Sequence, residues 1–261
     1  MNGIERIAGA FAGVSRRAAL MPYLMGGYPD LAVSRAIGEA YADAGADLVE
    51  LGVPYSDPLA DGPVIHAAGT AALAAGATLD GVLELGAALA PRVPVVLMCY
   101  ANLLYARGLE TFADALAAAG VSGLIVPDLP LEEAPAVLGV CDERGLALVP
   151  LVAPTTPDER LARIGARARG FLYTVSVTGT TGERAGLAGG LGAVIARAAA
   201  NTEVPVAVGF GIATPEQADA AARAGAAGVI VGSRLVREAG EAADPPRAVR
   251  SLVAAMAQAL E

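Results

Sequence analysis

Three junctions nearly repeat along the chain: "AGADLVELG" at 44–52, "AGVSGLIVP" at 119–127 and "AGAAGVIVG" at 224–232. Each closes an Ala-rich stretch of helical period on a Gly, the usual stop of a helix, and then enters a short apolar run. Helix followed by buried strand is half of a βα unit. Working outward from these junctions, strands are predicted at 20–27, 47–54, 93–100, 122–129, 147–154, 170–177, 204–211 and 227–234. The spacing of about 33 residues per strand and helix fits eight units with parallel strands buried on both faces. The expected fold is α/β: a (β/α)8 TIM barrel over 1–261 as a single domain, with an extra N-terminal helix. A doubly wound open sheet is the alternative.

Composition agrees and restricts the chemistry. The 261 residues are 55% hydrophobic and 17% charged with 32 Gly, which suits a large core and argues against disorder. The net charge of -9, with no basic run longer than Arg16-Arg17, speaks against nucleic acid or an anionic membrane as partner. No long uninterrupted apolar stretch suggests a membrane span, and the opening residues lack the pattern of a signal peptide, so a cytoplasmic location is expected. Cys99 and Cys141 lack metal or redox spacing and read as reduced buried thiols. All 18 cations are Arg, so no lysine is present to form a Schiff base. With His66 the sole histidine, no multi-histidine zinc site is expected. The chemistry falls to carboxylates, hydroxyls, Arg and backbone amides.

Two connections exceed ordinary βα loops: residues 55–92 after strand 2, and "TGTTGERAGLAGGLG" at 178–192 after strand 6. Both leave the C-terminal ends of strands, where barrels carry their active sites. Strand 2 leads into "ELGVPYSDPLADGP" at 50–63. Side chains alternate along a strand, so Leu48, Glu50 and Gly52 share one face and Val49, Leu51 and Val53 the other. The aliphatic set suits the helix layer, which points Glu50 into the barrel. Burial raises the pKa of a carboxyl toward neutrality, the state wanted of a group that gives and takes protons. An Arg partner or capping hydroxyls would make the same Glu merely structural, but no Arg lies within the interior of a predicted strand. Asp61 follows on a loop stiffened by Pro54, Pro58 and Pro63. Asp57, in the same loop, reads as a turn element.

The glycine turns "TGTTG" at 178–182, "GFGI" at 209–212 and "VGSR" at 231–234 form a second group. The last two follow strands 7 and 8, the usual phosphate site of a barrel, and together they suggest a phosphorylated substrate. Tyr23, Met98, Tyr100, Ile125, Tyr173 and Phe210 fall at or near strand ends, where they wall an apolar pocket or simply belong to the core. His66 reads as an ordinary polar residue. On the residues alone, a proton-transfer enzyme acting on a phosphorylated substrate, a phosphosugar isomerase using Glu50 as base among them, and a non-catalytic regulatory barrel subunit stay open.

Beyond single positions, "MGGYPD", "ELGVPYSDPLADGP", "YANLLY", "PDLPLEE", "YTVSVTGTTG", "GFGI" and "VGS" stand after successive strands. With a short leading helix, this series closely resembles the alpha subunit of tryptophan synthase over nearly the whole chain. The resemblance implies retro-aldol cleavage of indole-3-glycerol phosphate to indole and D-glyceraldehyde 3-phosphate, without metal or lysine. It makes Glu50 the general acid/base and Asp61 the partner of the indole N–H. Gly182, Gly211, Gly232 and Ser233 match phosphate-binding positions, and Tyr23, Met98, Pro127, Tyr173 and Phe210 surround the indole and its chain. Thr181 matches the threonine of a loop that closes toward Asp61. The implied partner is a beta subunit in an alpha2beta2 assembly, faced by the Asp57-Pro58 loop and the "YANLLY" turn. This chain would carry no cofactor, pyridoxal phosphate belonging to the beta subunit.

Overall fold

A computed structural model of the chain describes residues 1–175, 190–209 and 211–261. Thr181, Gly182 and Phe210 lie outside the described residues, as does most of the 178–192 connection. The strands are β1 (Ala19–Met25), β2 (Val49–Gly52), β3 (Val95–Met98), β4 (Gly123–Ile125), β5 (Ala147–Val149), β6 (Leu151–Val152), β7 (Leu172–Val175), β8 (Val206–Gly209) and β9 (Gly228–Val231). They form one parallel sheet in the order β5-β4-β3-β2-β1-β9-β8-β7-β6.

Nine strands replace the eight expected because the fifth, predicted as 147–154, divides at Pro150. Proline has no N–H to donate, so the ladder cannot run through it. The chain before the proline pairs with β4 and the chain after it pairs with β7, to which Pro150 contributes its carbonyl, accepting from the Tyr173 N–H at 3.0 Å. The sheet therefore curls into a barrel nearly closed on itself, its two ends meeting within one extended segment. The remaining predicted strands are present; β2, β3, β4 and β9 are shorter than predicted, and β1 begins one residue early, at Ala19.

Among the described residues the helices are α1 (Gly3–Ala12), α2 (Leu31–Asp43), α3 (Pro63–Ala74), α4 (Leu79–Leu89), α5 (Ala101–Arg107), α6 (Leu109–Ala118), α7 (Ala134–Glu143), α8 (Asp158–Gly165), α9 (Leu191–Ala199), α10 (Pro215–Arg223), α11 (Ser233–Glu241) and α12 (Pro245–Ala259). The three repeated junctions do stop their helices as expected: Gly45, Gly120 and Gly225 hold φ of 96°, 69° and 103°. The 55–92 connection is a correction. Only 53–62 is loop, and α3 and α4 occupy most of the rest. No single described helix is long and apolar enough to cross a membrane.

Alternation divides the core as the pattern of strand 2 requires. Val49, Leu51 and Val53 pack with the helices, whereas Leu48 packs inside the barrel with Met21, Val96, Ile125, Phe171 and Ile230. The leading helix α1 packs Ile7, fully buried, against this interior and so closes the N-terminal end of the barrel. Burying one such side chain stabilises by about 1.5–3 kcal/mol. With that end closed, a substrate can reach the interior polar groups from the C-terminal end.

Candidate active site

Glu50 sits on β2 between Tyr23 of β1 and Val96 of β3, its register neighbours. It is 2% exposed, and among the described residues it is the only carboxylate so fully buried. Its Oε2 has no hydrogen-bonding partner, and no described cation is paired with it. The structural reading of this Glu, a buried ion pair, is therefore excluded among the described residues. Desolvation, helped by the negative charge of Asp61, pushes its pKa up to about 8. Such a group holds a proton near neutrality yet releases it readily, which is what a proton-transfer residue requires.

Asp61 approaches from the loop above. Pro63 opens α3 and Gly62 caps it, so the helix start fixes the end of the loop two residues after Asp61. The Tyr100 hydroxyl accepts from the Ala60 N–H at 3.0 Å and stands beside the Asp61 carboxylate, while Tyr55 stacks on Tyr100 with ring centroids 5.2 Å apart. Partial burial raises the pKa of Asp61, opposed by the Tyr100 hydroxyl and by the charge of His66. His66 itself is exposed on α3, as an ordinary polar residue would be. Asp57 is exposed and bonded to the adjacent Ser56 hydroxyl, in keeping with a turn element.

Tyr100, read as pocket wall or core, is buried and has a polar task as well: its hydroxyl accepts from the Ala60 N–H and so fastens the Asp61 loop to the end of β3. Asp128 was missed altogether: its Oδ1 accepts from the Ala101 N–H at 2.9 Å and so ties the loop after β4 to the start of α5. The available signal was an Asp directly after a strand, facing a helix whose first amides lack partners.

Tyr23 and Tyr173 are buried on the inner face, and Met98 is half-buried at the end of β3. Each tyrosine leans toward a strand-end glycine. A Cβ added to Gly52 would stand 2.0 Å from the Tyr23 hydroxyl, and one added to Gly209 would stand 2.2 Å from the Tyr173 hydroxyl. Ile125 belongs to the interior core. Pro127 lines a cavity of about 220 Å³ with Leu138, Leu148 and Ile164 of the helix-facing side and Val149 and Leu151 of the interior.

On the other side of Tyr23, Gly232 precedes α11 and Ser233 opens it, leaving first-turn amides without helical partners. Gly211, after β8, holds φ 90°, a conformation that L side chains rarely adopt. Backbone donors at a helix start after the last strand can hold a phosphate. The described part of the site thus joins a buried acid, a loop carboxylate, aromatic walls and an anion cradle. Among the described residues no cluster of three or more His, Cys, Asp or Glu could hold a metal ion.

Residues 11–261 match the family model described as tryptophan synthase alpha chain. The chain belongs to that family. The tryptophan synthase alpha chain of Gloeobacter violaceus is 50% identical over 246 residues, covering 93% of this chain and 89% of that relative. The alpha chain of Geobacter sulfurreducens is 44% identical over 263 residues, 98% and 99% of the two chains. Among solved structures, Mycobacterium tuberculosis tryptophan synthase superposes with a TM-score of 0.89 at 37% identity, covering 99% of this chain and 96% of that one. A chain of the tryptophan synthase a2b2 complex of Pyrococcus furiosus gives 0.86 at 36% identity, with 92% and 98% covered. The barrel agrees with what the three repeated junctions predict, and the family with the resemblance carried by the series of strand-end motifs.

Proposed function

We propose that the Glu50 layer carries the lyase reaction of the tryptophan synthase alpha chain, cleavage of indole-3-glycerol phosphate to indole and D-glyceraldehyde 3-phosphate. The chain is a carbon–carbon lyase of tryptophan biosynthesis and pairs with a beta subunit. The observation that carries the residue assignment is Glu50: a buried carboxyl, unpaired among the described residues, on the inner face where the barrel opens.

The chemistry follows from the arrangement. Glu50 gives a proton to indole carbon 3 and takes one from the substrate hydroxyl beside the ring, so it ends in its starting form. Electrons of the breaking carbon–carbon bond return to the ring. Asp61, fixed by Tyr100, accepts from the indole N–H and stabilises the positive charge that protonation places on the ring. Gly211, Gly232 and Ser233, with Gly182, hold the phosphate, Thr181 belongs to the loop that closes toward Asp61, and Tyr23, Met98, Pro127, Tyr173 and Phe210 enclose the apolar part.

The partner surface has its own support. Leu59 is 79% exposed and Tyr105 49% exposed, the first in the Asp57-Pro58 loop and the second in α5, a helix where "YANLLY" reads as a turn. Coverage by the beta subunit would remove both apolar groups from water and set the exit for indole beside the Asp61 loop. Within this proposal the chain acts in the cytoplasm as one domain and in an alpha2beta2 assembly. It holds no cofactor itself, and the beta subunit carries pyridoxal phosphate.

Family membership sets aside the phosphosugar isomerase. A non-catalytic regulatory subunit would leave a buried, unpaired acid unexplained, since burying it is costly without a task. Indole release from indole-3-glycerol phosphate, measured for the chain with its beta subunit, decides between them. Glu50→Gln should lower turnover by about 100-fold to 10,000-fold while the thermal transition persists; near-normal turnover in that variant would remove Glu50 from the chemistry.

A further inference from the structure

Beside Glu50, the reaction so described leaves the buried hydroxyl of Tyr23 without a task. The residue is 6% exposed, and its one hydrogen-bonding contact is the thioether sulfur of Met25 at 3.9 Å. A thioether is a weak acceptor, so a strong phenolic donor stands nearly unused in a desolvated place. Directly across the ladder, in register with Tyr23, Glu50 holds an oxygen that lacks any donor. The two therefore do not bond each other.

Gly52 explains where the hydroxyl stands. Tyr23 begins level with Glu50, but its ring leans toward the mouth of the barrel, until the oxygen lies where a Cβ of residue 52 would be. Gly52 is the next inward position above Glu50 on the same strand. The hydroxyl is thus set between Glu50 and the loop that carries Asp61, and the charges of both carboxylates add to burial in keeping it protonated. Such a group acts as a donor throughout.

A buried donor and a buried acceptor, each unsatisfied and set apart on one wall, call for a ligand group that accepts from one and donates to the other. Among the common uncharged substrate groups, a hydroxyl does both. We propose that Tyr23 is a catalytic residue whose O–H donates to the substrate hydroxyl on the carbon next to the indole ring, while that hydroxyl donates to Glu50. The inference rests on the reaction given above. In cleavage the hydroxyl proton passes to Glu50, the oxygen becomes the aldehyde oxygen of glyceraldehyde 3-phosphate, and the electron pair of the broken bond goes to the ring carbon already protonated. Tyr23 keeps its proton and stays bonded to that oxygen while negative charge builds and fades on it, which stabilises the transition state.

The test compares Tyr23→Phe with the unaltered chain, both assembled with the beta subunit. Two quantities are measured: kcat for indole-3-glycerol phosphate, and the dissociation constant of indole-3-propyl phosphate, which has the same ring and phosphate but no hydroxyl. Losing one neutral hydrogen bond should cut kcat by roughly tenfold and change the binding of the deoxy compound by less than about twofold. Gly52→Ala, whose methyl takes the place of the hydroxyl, should lower kcat at least as much. Unchanged kcat in Tyr23→Phe would overturn the proposal, and so would equal loss of both quantities, which marks a packing role. If the unaltered complex releases no indole at all, the parent reaction fails and this inference with it, a result distinct from either of those.

Discussion

The two ends of the barrel are built on opposite rules. At the N-terminal end, α1 begins with a reciprocal cap between Asn2 and Glu5, buries Ile7 and sets Phe11 against Phe171 with centroids 6.0 Å apart. Its Arg6 donates to the carbonyls of Gly120, at 2.8 Å, and Ala90, and the Ile4 N–H donates to Gly145 O at 3.1 Å. Asp47 there accepts from both Arg16 and the Leu20 N–H. At the C-terminal end, Glu50 Oε2 has no partner, the Tyr23 hydroxyl has only a sulfur, and the helix-start amides at Gly232 and Ser233 face no helical acceptor. Apart from the Ser122 hydroxyl, which is buried without a partner, the polar groups named at the closed end are satisfied within the chain. The other leaves them for a substrate to satisfy, a local cost to stability that a binding site requires.

Substitutions at the two ends should therefore fail in different ways. Asp61→Asn, at the open end, should lower indole release by about 100-fold or more through loss of the charge opposite the ring nitrogen. Binding of glyceraldehyde 3-phosphate, followed by calorimetry, should stay within about twofold; an equal loss there would make Asp61 structural. Ile7→Ala, at the closed end, should destabilise by about 2–5 kcal/mol in urea unfolding with turnover per folded molecule unchanged. A selective loss of turnover would break the division between the ends. Tyr100→Phe should have the smallest effect. It keeps the stack on Tyr55 but frees Asp61 and the Ala60 N–H, and kcat should drop by about 3- to 10-fold. A Tyr100→Phe chain with unaltered kcat would show that the loop holds Asp61 without the hydroxyl.

Much of this contrast was legible beforehand, for physical reasons that differ by position. Alternation with a period of two fixed Glu50 inside once Val49, Leu51 and Val53 were read as facing helices. Glycines stopping α2, α6 and α10 announced the units because few other residues adopt a left-handed stop. The division at Pro150 was present in "ALVPLVAP" but masked by strong β-branched neighbours on both sides, so one apolar run was read as one strand. The helices within 55–92 were hidden by the proline-rich entry, although Pro63 is well placed at the first position of a helix. Tyr100 and Tyr23 were beyond sequence reading in another way. Their roles depend on where a hydroxyl ends up, which is set by another segment: the Asp61 loop, through the Ala60 N–H, for the one, and the missing side chain of Gly52 for the other.

The central claim is that burial keeps Glu50 protonated near neutrality so that it can both give and take a proton. Because the folded pKa lies above the ordinary 4.5, the folded chain binds a proton that the unfolded chain releases between about pH 4.5 and 8. Glu50 therefore favours folding at the acid side of that window, and this contribution is lost as pH rises through about 8. The most direct measurement is the titration of Glu50 itself, by carbon-13 NMR of chains labelled at the glutamate carboxyl, with the signal assigned by its absence in Glu50→Gln. The account predicts a midpoint near 8; a midpoint between about 4 and 5, that of a solvated glutamate, would contradict it.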